Sequence, residues 1–126
     1  MPGITRESGT REEHGPVTDI HEDVLGYTIN IVSFAVDLDA TPLLKGLPGD
    51  RCHCPHWGYV TKGQITFRFA DHDESFAEGA AFYVPGGHAP IVTAGTEYVQ
   101  FSPAEQLCEV TRVLVENTMK MMGAAG

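Results

Sequence analysis

The chain has 126 residues, which is enough for one compact domain and too few for two. Its 8 basic and 17 acidic residues give a formal net charge of −9, which argues against nucleic acid and anionic membranes as partners. Hydrophobic residues make up 42% of the chain, so a packed core is possible, and no run approaches the roughly 20 apolar residues of a membrane span.

Residues 1–20 are polar and rich in charge, with little to bury, and they predict a flexible N-terminal arm. The same stretch lacks the apolar segment of a secretory signal, so we expect a cytoplasmic protein whose three cysteines stay reduced. The predicted organisation is an arm at 1–20, a β-barrel at 21–102 and a C-terminal helix at 103–126, all within a single domain.

The first predicted strand lies between Tyr27 and Leu38, where apolar and polar residues alternate. The alternation changes phase after Ile31, which predicts a β-bulge or a bend inside the strand. One helical turn is predicted over residues 41–46, because Thr-Pro is a common helix start and glycine a common helix end.

The middle of the chain has the clearest β pattern. Residues 64–69 alternate as in a strand with one solvated face, and further short strands follow up to Phe101. Turns that contain glycine separate these strands at intervals of about 8–12 residues, a spacing typical of an antiparallel sandwich or a small barrel. The predicted fold class is therefore all-β.

The last segment changes to helical periodicity. Residues 102–105, Ser-Pro-Ala-Glu, have the form of a capping box with proline at the first helical position. Apolar residues then recur at helical spacing, at Leu107, Val110, Val113, Leu114 and Met121. We predict one amphipathic helix from Pro103 to Met122, packed on its own barrel in preference to a second subunit.

A short segment in the middle of the chain is rich in metal-ligand residue types, namely Cys52, His53, Cys54 and His56. Thiolate and imidazole are ligands that transition metals prefer. In an extended strand, Cys52, Cys54 and His56 share the inner face, but if the intervening proline disturbs the strand, His53 could replace a cysteine. His88, which follows a Pro-Gly-Gly turn, is a further candidate ligand.

Each of these residues also has a simpler interpretation. Free cysteines are often small buried hydrophobic residues, and a lone histidine in a turn is usually solvated or hydrogen-bonded. Another alternative is redox sensing by Cys52 and Cys54, which requires exposed thiols with a lowered pKa.

Residues 49–63 and 79–101 together resemble the two sequence motifs of the cupin superfamily. The first cupin motif runs from a glycine through His-x-His and glutamate to a second glycine, and the second runs from glycine through Pro-x-Gly to histidine. Residues 56–63 match the end of the first motif, and residues 79–87 match the second up to its closing histidine. The resemblance extends over residues 24–101 and implies a small jelly-roll β-barrel.

The ligand positions depart from the cupin pattern. His56 stands where the family has its glutamate. The family's histidine pair falls on Asp50 and Cys52 when the motif is aligned without a gap, or on Cys52 and Cys54 with a shift of two residues. Pro90 occupies the position of the closing histidine, with His88 two residues earlier. The resemblance therefore implies either a lost metal or an altered metal site.

An altered site would consist of His56, His88 and one or both of Cys52 and Cys54. This donor set favours Zn²⁺, with iron, nickel and copper as alternatives. Three protein ligands would leave a coordination position open for water or substrate.

The cupin resemblance also implies a barrel pocket for a compact organic molecule, with candidate wall residues Phe67, Tyr83, Tyr98 and Glu97. The expected function is metal-dependent chemistry on that molecule, of the oxygenase, isomerase, decarboxylase or lyase type, with no residue assigned as catalytic. The alternative is a non-catalytic small-molecule-binding or sensing protein with a structural or absent metal. We also expect a homodimer, because a second copy can cover the strand edges of a small open barrel.

Overall fold

The computed structural model of the protein describes residues 3–123. Over this range ten strands form two sheets in which all neighbouring strands are antiparallel. The strands are β1 (Thr10–His14), β2 (Val17–Val24), β3 (Tyr27–Phe34), β4 (Leu38–Asp39), β5 (His56–Lys62), β6 (Gln64–Arg68), β7 (Asp73–Ala77), β8 (Ala81–Val84), β9 (Ala89–Val92) and β10 (Glu97–Pro103). The larger sheet has the order β1-β2-β3-β10-β5-β8, and the smaller has the order β4-β9-β6-β7. The predicted all-β, antiparallel class is confirmed.

A C-terminal helix, α1, spans Ala104–Gly123. It begins one residue later than predicted, because Pro103 ends β10 and the Ala104 N–H donates to the Gly26 carbonyl at 2.9 Å. The side chain of Met121 and residues 124–126 of the predicted segment lie outside the described part of the chain. Within residues 3–123, no helix combines the length and the apolar composition needed to cross a membrane.

Two 3₁₀ helices connect β4 to β5. The first spans Thr41–Leu44, inside the helical turn predicted at 41–46, and the second spans Pro48–Asp50. The first packs against α1, with Asn117 Nδ2 donating to the Leu43 carbonyl at 2.7 Å. The connection therefore anchors the helix to the barrel.

Buried side chains form two clusters. The barrel core lies between the two sheets and consists of Val32, Val60, Ile65, Phe67, Phe82, Val84, Val92 and Tyr98. The helix core lies beneath α1 and consists of Leu44, Leu47, Cys52, Cys54, Ala89, Leu107, Val110 and Val113. Removal of this apolar surface from water is the main favourable term in folding, and it packs α1 on its own barrel.

The N-terminal segment differs from the flexible arm predicted over residues 1–20. From Thr10 onward that prediction is wrong, because β1 and β2 both belong to the six-stranded sheet. Asp19, His21 and Asp23 of β2 lie on the same face as the buried Val32 of β3. A polar inner face removes the alternation by which a half-buried strand is usually recognised.

Strand β3 is regular where the sequence predicted a bulge. Its pairing with β2 and β10 runs from Tyr27 to Phe34 without a register shift. Thr28 and Asn30 are buried on the inner face, whereas Ile29 and Ile31 lie on the outer face. The apparent phase change in the sequence therefore marks a polar inner face, and the predicted bulge is wrong.

An ion pair ties residue 6 to the six-stranded sheet. Arg6 Nε donates to Glu97 Oε2 at 3.3 Å, and a second guanidinium N–H donates to Glu97 Oε1. Thr61 Oγ1 also donates to Glu97 Oε1, at 2.8 Å. The Arg6 guanidinium holds the pKa of Glu97 below its ordinary value, although partial burial acts in the opposite direction.

Replacing the Glu97 carboxylate should make the stability of the fold less dependent on pH. A lowered pKa means that Glu97 stabilises the fold fully above pH 4.5, its ordinary value, and loses this contribution as the pH falls through the folded-state pKa. Glu97→Gln is therefore expected to lower the midpoint of urea denaturation at neutral pH and to converge with wild type in acid. Glu13→Gln, which removes a carboxylate from an exposed pair with Arg11, is the control and should change little. Equal losses at neutral and acidic pH would contradict this account.

Candidate metal centre

Backbone pairing brings two distant segments together at one end of the barrel. Cys52 and His88 form an isolated antiparallel bridge in which the Cys52 N–H donates to the His88 carbonyl at 2.8 Å. The Gly87 N–H donates back to the Cys52 carbonyl at 2.8 Å. A side chain at Gly86 would collide with the backbone of His53, so glycine is required for this close approach.

Three side chains converge at this bridge, and we refer to Cys52, His56 and His88 as the donor cluster. Their ligand atoms all lie within 4.8 Å of one another. Cys52 Sγ lies 3.6 Å from His56 Nε2, and the two imidazole rings are 4.9 Å apart between centroids. All three residues are buried, with at most 5% of their surface exposed.

Hydrogen bonds orient both imidazole rings. His88 Nδ1 lies 2.8 Å from the Pro85 carbonyl oxygen, and since a carbonyl only accepts, Nδ1 must carry the proton of the neutral ring. His88 Nε2 is then an acceptor, and it has no hydrogen-bond partner in the described part of the chain. His56 Nδ1 lies 2.7 Å from Ser102 Oγ, which leaves its Nε2 facing Cys52. Metal-binding histidines are typically held in this way through their other ring nitrogen.

Burial keeps the donor cluster uncharged in the absence of a cation. Burial lowers the pKa of His56 to about 3, and the neighbouring His88 adds to the effect. Burial likewise lowers the pKa of His88 to about 4, although the bond to the Pro85 carbonyl opposes it. The pKa of the Cys52 thiol is raised by burial to about 12. A bound metal reverses this balance, because a coordinating thiol is deprotonated by the ion itself.

Cys54 and His53 do not join the donor cluster. Cys54 packs in the helix core, with its Sγ 3.5 Å from the Pro55 carbonyl oxygen. His53 is exposed, and its Nε2 lies 2.6 Å from the Pro48 carbonyl oxygen. The predicted alternation fails here because β5 begins only at His56, so the preceding residues do not continue one strand face.

The two buried cysteines also lack the features of a redox sensor. Burial raises the pKa of Cys54 to about 11 as well as that of Cys52. A reactive cysteine needs exposure and a lowered pKa, because the thiolate is the reactive form. Both cysteines therefore have properties opposite to those that redox sensing requires.

The predicted pocket residues have four different surroundings. Tyr98 lines a cavity, whereas Phe67 is fully buried in the barrel core and packs edge-on against His88. Tyr83 lies on the outer face of β8, because Phe82 and Val84 take the inner positions. Glu97 is occupied by Arg6 on the outer face of β10. Tyr83 and Glu97 therefore lie on outer strand faces, and Phe67 is part of the packed core.

Two neighbouring cavities lie between α1 and the inner face of the six-stranded sheet. They measure about 140 Å³ and about 400 Å³, and neither is lined by a residue of the donor cluster. The predicted site residues do not include the polar residues of these walls, among them Asp19, His21, Asn30, Gln100 and Thr111. Polar residues recur at every second position, at Asp19, His21 and Asp23 of β2 and at Thr28 and Asn30 of β3. This periodicity is the signal that could have identified the polar walls.

Solved structures with the same architecture identify the fold. A KdgF protein from Halomonas sp. is 15% identical, with a TM-score of 0.58 over 82% of this chain and 94% of that one. An RmlC-like cupin from Shewanella frigidimarina is 16% identical, with a TM-score of 0.56 over 79% of this chain and 88% of that one. A sugar phosphate isomerase of the cupin superfamily from Silicibacter pomeroyi is 11% identical, with a TM-score of 0.58 over 81% of this chain and 75% of that one.

The protein therefore has the cupin fold, a jelly-roll β-barrel, here with a C-terminal helix. No protein-family model matches the chain, and no curated protein matches it. Likeness at this level of identity establishes the fold, and function has to be argued from the site itself.

Proposed function

We propose that the protein holds one divalent transition-metal ion through Cys52, His56 and His88 and acts on a small organic molecule. The observation that carries this proposal is the Nε2 of His88, which has no hydrogen-bond partner within residues 3–123 and is buried beside a thiol and a second imidazole. A buried acceptor without a partner costs free energy, and coordination of a metal ion would remove that cost.

The residues present fit a transition metal. The donor set is one thiol and two neutral imidazoles, which are ligands for zinc and for the later transition metals. Zn²⁺ is the ion that this set favours most, and iron, nickel and copper are the alternatives. Ser102 and the Pro85 carbonyl would fix the ring orientations, which is the role of outer-sphere partners in metal sites.

Three protein ligands leave room for a further ligand. An ion bound in this way can polarise a carbonyl group or lower the pKa of a bound water molecule. The chain's own contribution is to orient the donors and to keep bulk water away, since Phe67 and Phe69 pack edge-on against His88. Oxygenase, isomerase, decarboxylase and lyase reactions remain within the proposal, and it assigns no catalytic side chain.

The metal content of purified variants tests whether the donor cluster, and not the neighbouring cysteine and histidine, holds the ion. Wild-type protein, purified and loaded with Zn²⁺, is expected to retain about one ion per chain, whereas His88→Ala and Cys52→Ser each lose at least about tenfold in affinity. Elemental analysis and competition with a chromophoric chelator measure both quantities.

Matched controls come from the two residues that point elsewhere. Cys54→Ser and His53→Ala should retain the wild-type stoichiometry, because neither side chain faces the donor cluster. Ser102→Ala should retain the ion but bind it roughly 10- to 100-fold more weakly. Retention of the ion at wild-type affinity by the double variant His56→Ala/His88→Ala would refute the proposal.

A non-catalytic protein that binds or senses a small molecule is the second candidate function. Neither of the two cavities is lined by a residue of the donor cluster, and this separation of cavity and donors favours the non-catalytic function. A structural metal or no metal would then suffice, since closed tetrahedral sites leave no position for a substrate.

Ligand exchange on the cobalt-substituted protein separates the two functions. Co²⁺ bound by one thiolate and two imidazoles should show a charge-transfer band, and azide or cyanide should change the visible spectrum if a coordination position is open. The enzyme proposal expects that change. A cobalt spectrum that shows thiolate ligation but does not respond to either anion would favour the non-catalytic function.

A further inference from the structure

The two cavities beside α1 are parts of one cleft, because four residues line both of them. These residues are Asp19, Asn30, Leu107 and Thr111. The inner part measures about 140 Å³ and has mainly apolar walls, and the outer part measures about 400 Å³ and carries most of the charged residues. Since a cavity of about 150 Å³ can hold benzene, the inner part fits the body of a compact organic molecule.

Asn30 lies where the two parts meet, and it is only 5% exposed. Its Nδ2 donates to Asp19 Oδ1 at 2.9 Å, and this bond fixes the orientation of the amide because a carboxylate only accepts. Asn30 Oδ1 then has no hydrogen-bond partner among residues 3–123. The unpaired carbonyl oxygen favours a ligand that donates a hydrogen bond.

Acidic groups predominate in the cleft. The titratable residues that line it are Glu12, His14, Asp19, His21, Asp23, Tyr98, Cys108 and Arg112. The guanidinium of Arg112, the one arginine among them, is turned to Glu116 in an exposed pair at 3.1 Å. The local balance of permanent charges is therefore negative, which favours a cation and disfavours an anion.

We propose that this cleft binds a small organic cation, a primary amine with a short apolar body, whose ammonium group donates to Asn30 Oδ1 and Asp19. An ammonium has three donors and no acceptor, so it complements these groups. The proposal rests on the proposed function in one respect, that the protein takes a small organic ligand. It needs no metal, because the cleft and the donor cluster have no residue in common.

Isothermal titration with n-butylamine, 1-butanol and butyrate tests the proposal, because the three probes have similar size and differ in charge. In a mildly alkaline buffer the amine is expected to bind about tenfold more tightly than the alcohol, since a charged hydrogen bond adds about that much. Butyrate is expected not to bind. Equal affinity for amine and alcohol, or binding of none of the three, would overturn the proposal.

Two variants locate the effect. Asp19→Asn should weaken binding of n-butylamine by about tenfold and leave 1-butanol unaffected. Glu13→Gln removes one negative charge from the neighbouring strand β1, where Glu13 pairs with Thr18 and so lies on the sheet face opposite to Asp19. Both probes should therefore bind to this variant as they do to wild type. If Asp19→Asn does not fold, as judged by circular dichroism, the wild-type probe series decides.

Metal content of each protein, measured in parallel, keeps the two proposals apart. Lack of amine binding by a protein that retains its ion refutes the cleft proposal alone. If the wild-type protein retains no ion after loading but still binds the amine, the metal proposal alone is refuted.

A second, independent feature is a patch of exposed aromatic side chains on the outer face of the six-stranded sheet. Phe101 lies opposite Trp57, and Trp57 lies opposite Tyr83. Tyr27 and Tyr59 extend the same face, and the Trp57 ring is 6.3 Å from Tyr27 and 5.0 Å from Tyr83. Each of the five side chains is between 42% and 50% exposed. We name these five residues the aromatic face.

The area of the aromatic face suits a second copy of the chain. A fully buried aromatic side chain contributes about 150–250 Å², so five half-exposed rings present about 500 Å² per copy. Two copies would bury about 1,000 Å² from these rings alone, where specific interfaces begin. Ile29, Ile31 and Val99 share the outer face with the rings and carry no charge, so they add no repulsion between copies with a net charge of −9.

We infer that the protein forms a two-fold dimer through the aromatic face. Sedimentation velocity should give twice the chain mass of 13.7 kDa, with a tighter dimer at higher salt because salt screens the repulsion. Tyr83→Glu should give a monomer, and Trp57, the one tryptophan of the chain, should then fluoresce at longer wavelength.

Val36→Glu is the matched control, since Val36 is 46% exposed but lies after β3, away from the aromatic face. It should remain dimeric. A wild-type mass of one chain at all concentrations, or an unchanged mass in Tyr83→Glu, would overturn the inference.

Discussion

The donor cluster depends on main-chain hydrogen bonds that join the segments around Cys52 and His88. Three such bonds, two of 2.8 Å and one of 3.2 Å, run between the backbone of residue 52 and that of residues 87 and 88. The barrel therefore holds the thiol and the imidazoles together before any ligand binds, which lowers the cost of ordering them on binding. The cluster also lies between the two cores, because Cys52 packs beneath α1 while His88 contacts Phe67 of the barrel core. Water is excluded from both sides, and electrostatic interactions are stronger there.

The sequence predicted best those strands whose inner faces are apolar. In β6, Ile65 and Phe67 are buried and alternate with polar residues, as the pattern indicates. In β2 and β3 the inner face is polar where it lines the cleft, so the sequence pattern predicts an arm for the first of these strands and a bulge in the second. Asp19 and Asn30 satisfy each other across this face, a pairing that periodicity cannot reveal. Local rules failed here at the same place as a candidate binding site, which is where such failures are expected.

The candidate metal site was predictable in composition but not in detail. The family pattern and the ligand types identified Cys52, His56 and His88, all of which the barrel brings together. Strand alternation predicts Cys54 as a ligand, but β5 begins only at His56, and Cys54 packs beneath α1. The capping-box pattern predicts Ser102 at the start of the helix, yet its hydroxyl group bonds His56, since β10 continues through residue 103. One-dimensional spacing cannot distinguish these two uses of a serine.

One strand and one helix connect the cleft with the donor cluster. On β10, Gln100 lines the cleft, and Ser102, two residues further along the same face, bonds His56. On α1, Leu107 lines both parts of the cleft and packs in the helix core with Cys52. A ligand that displaced Leu107 would therefore change the surroundings of the thiol. If the two sites are coupled in this way, thermodynamic linkage requires the bound ion and the cleft ligand to change each other's affinity by one and the same factor.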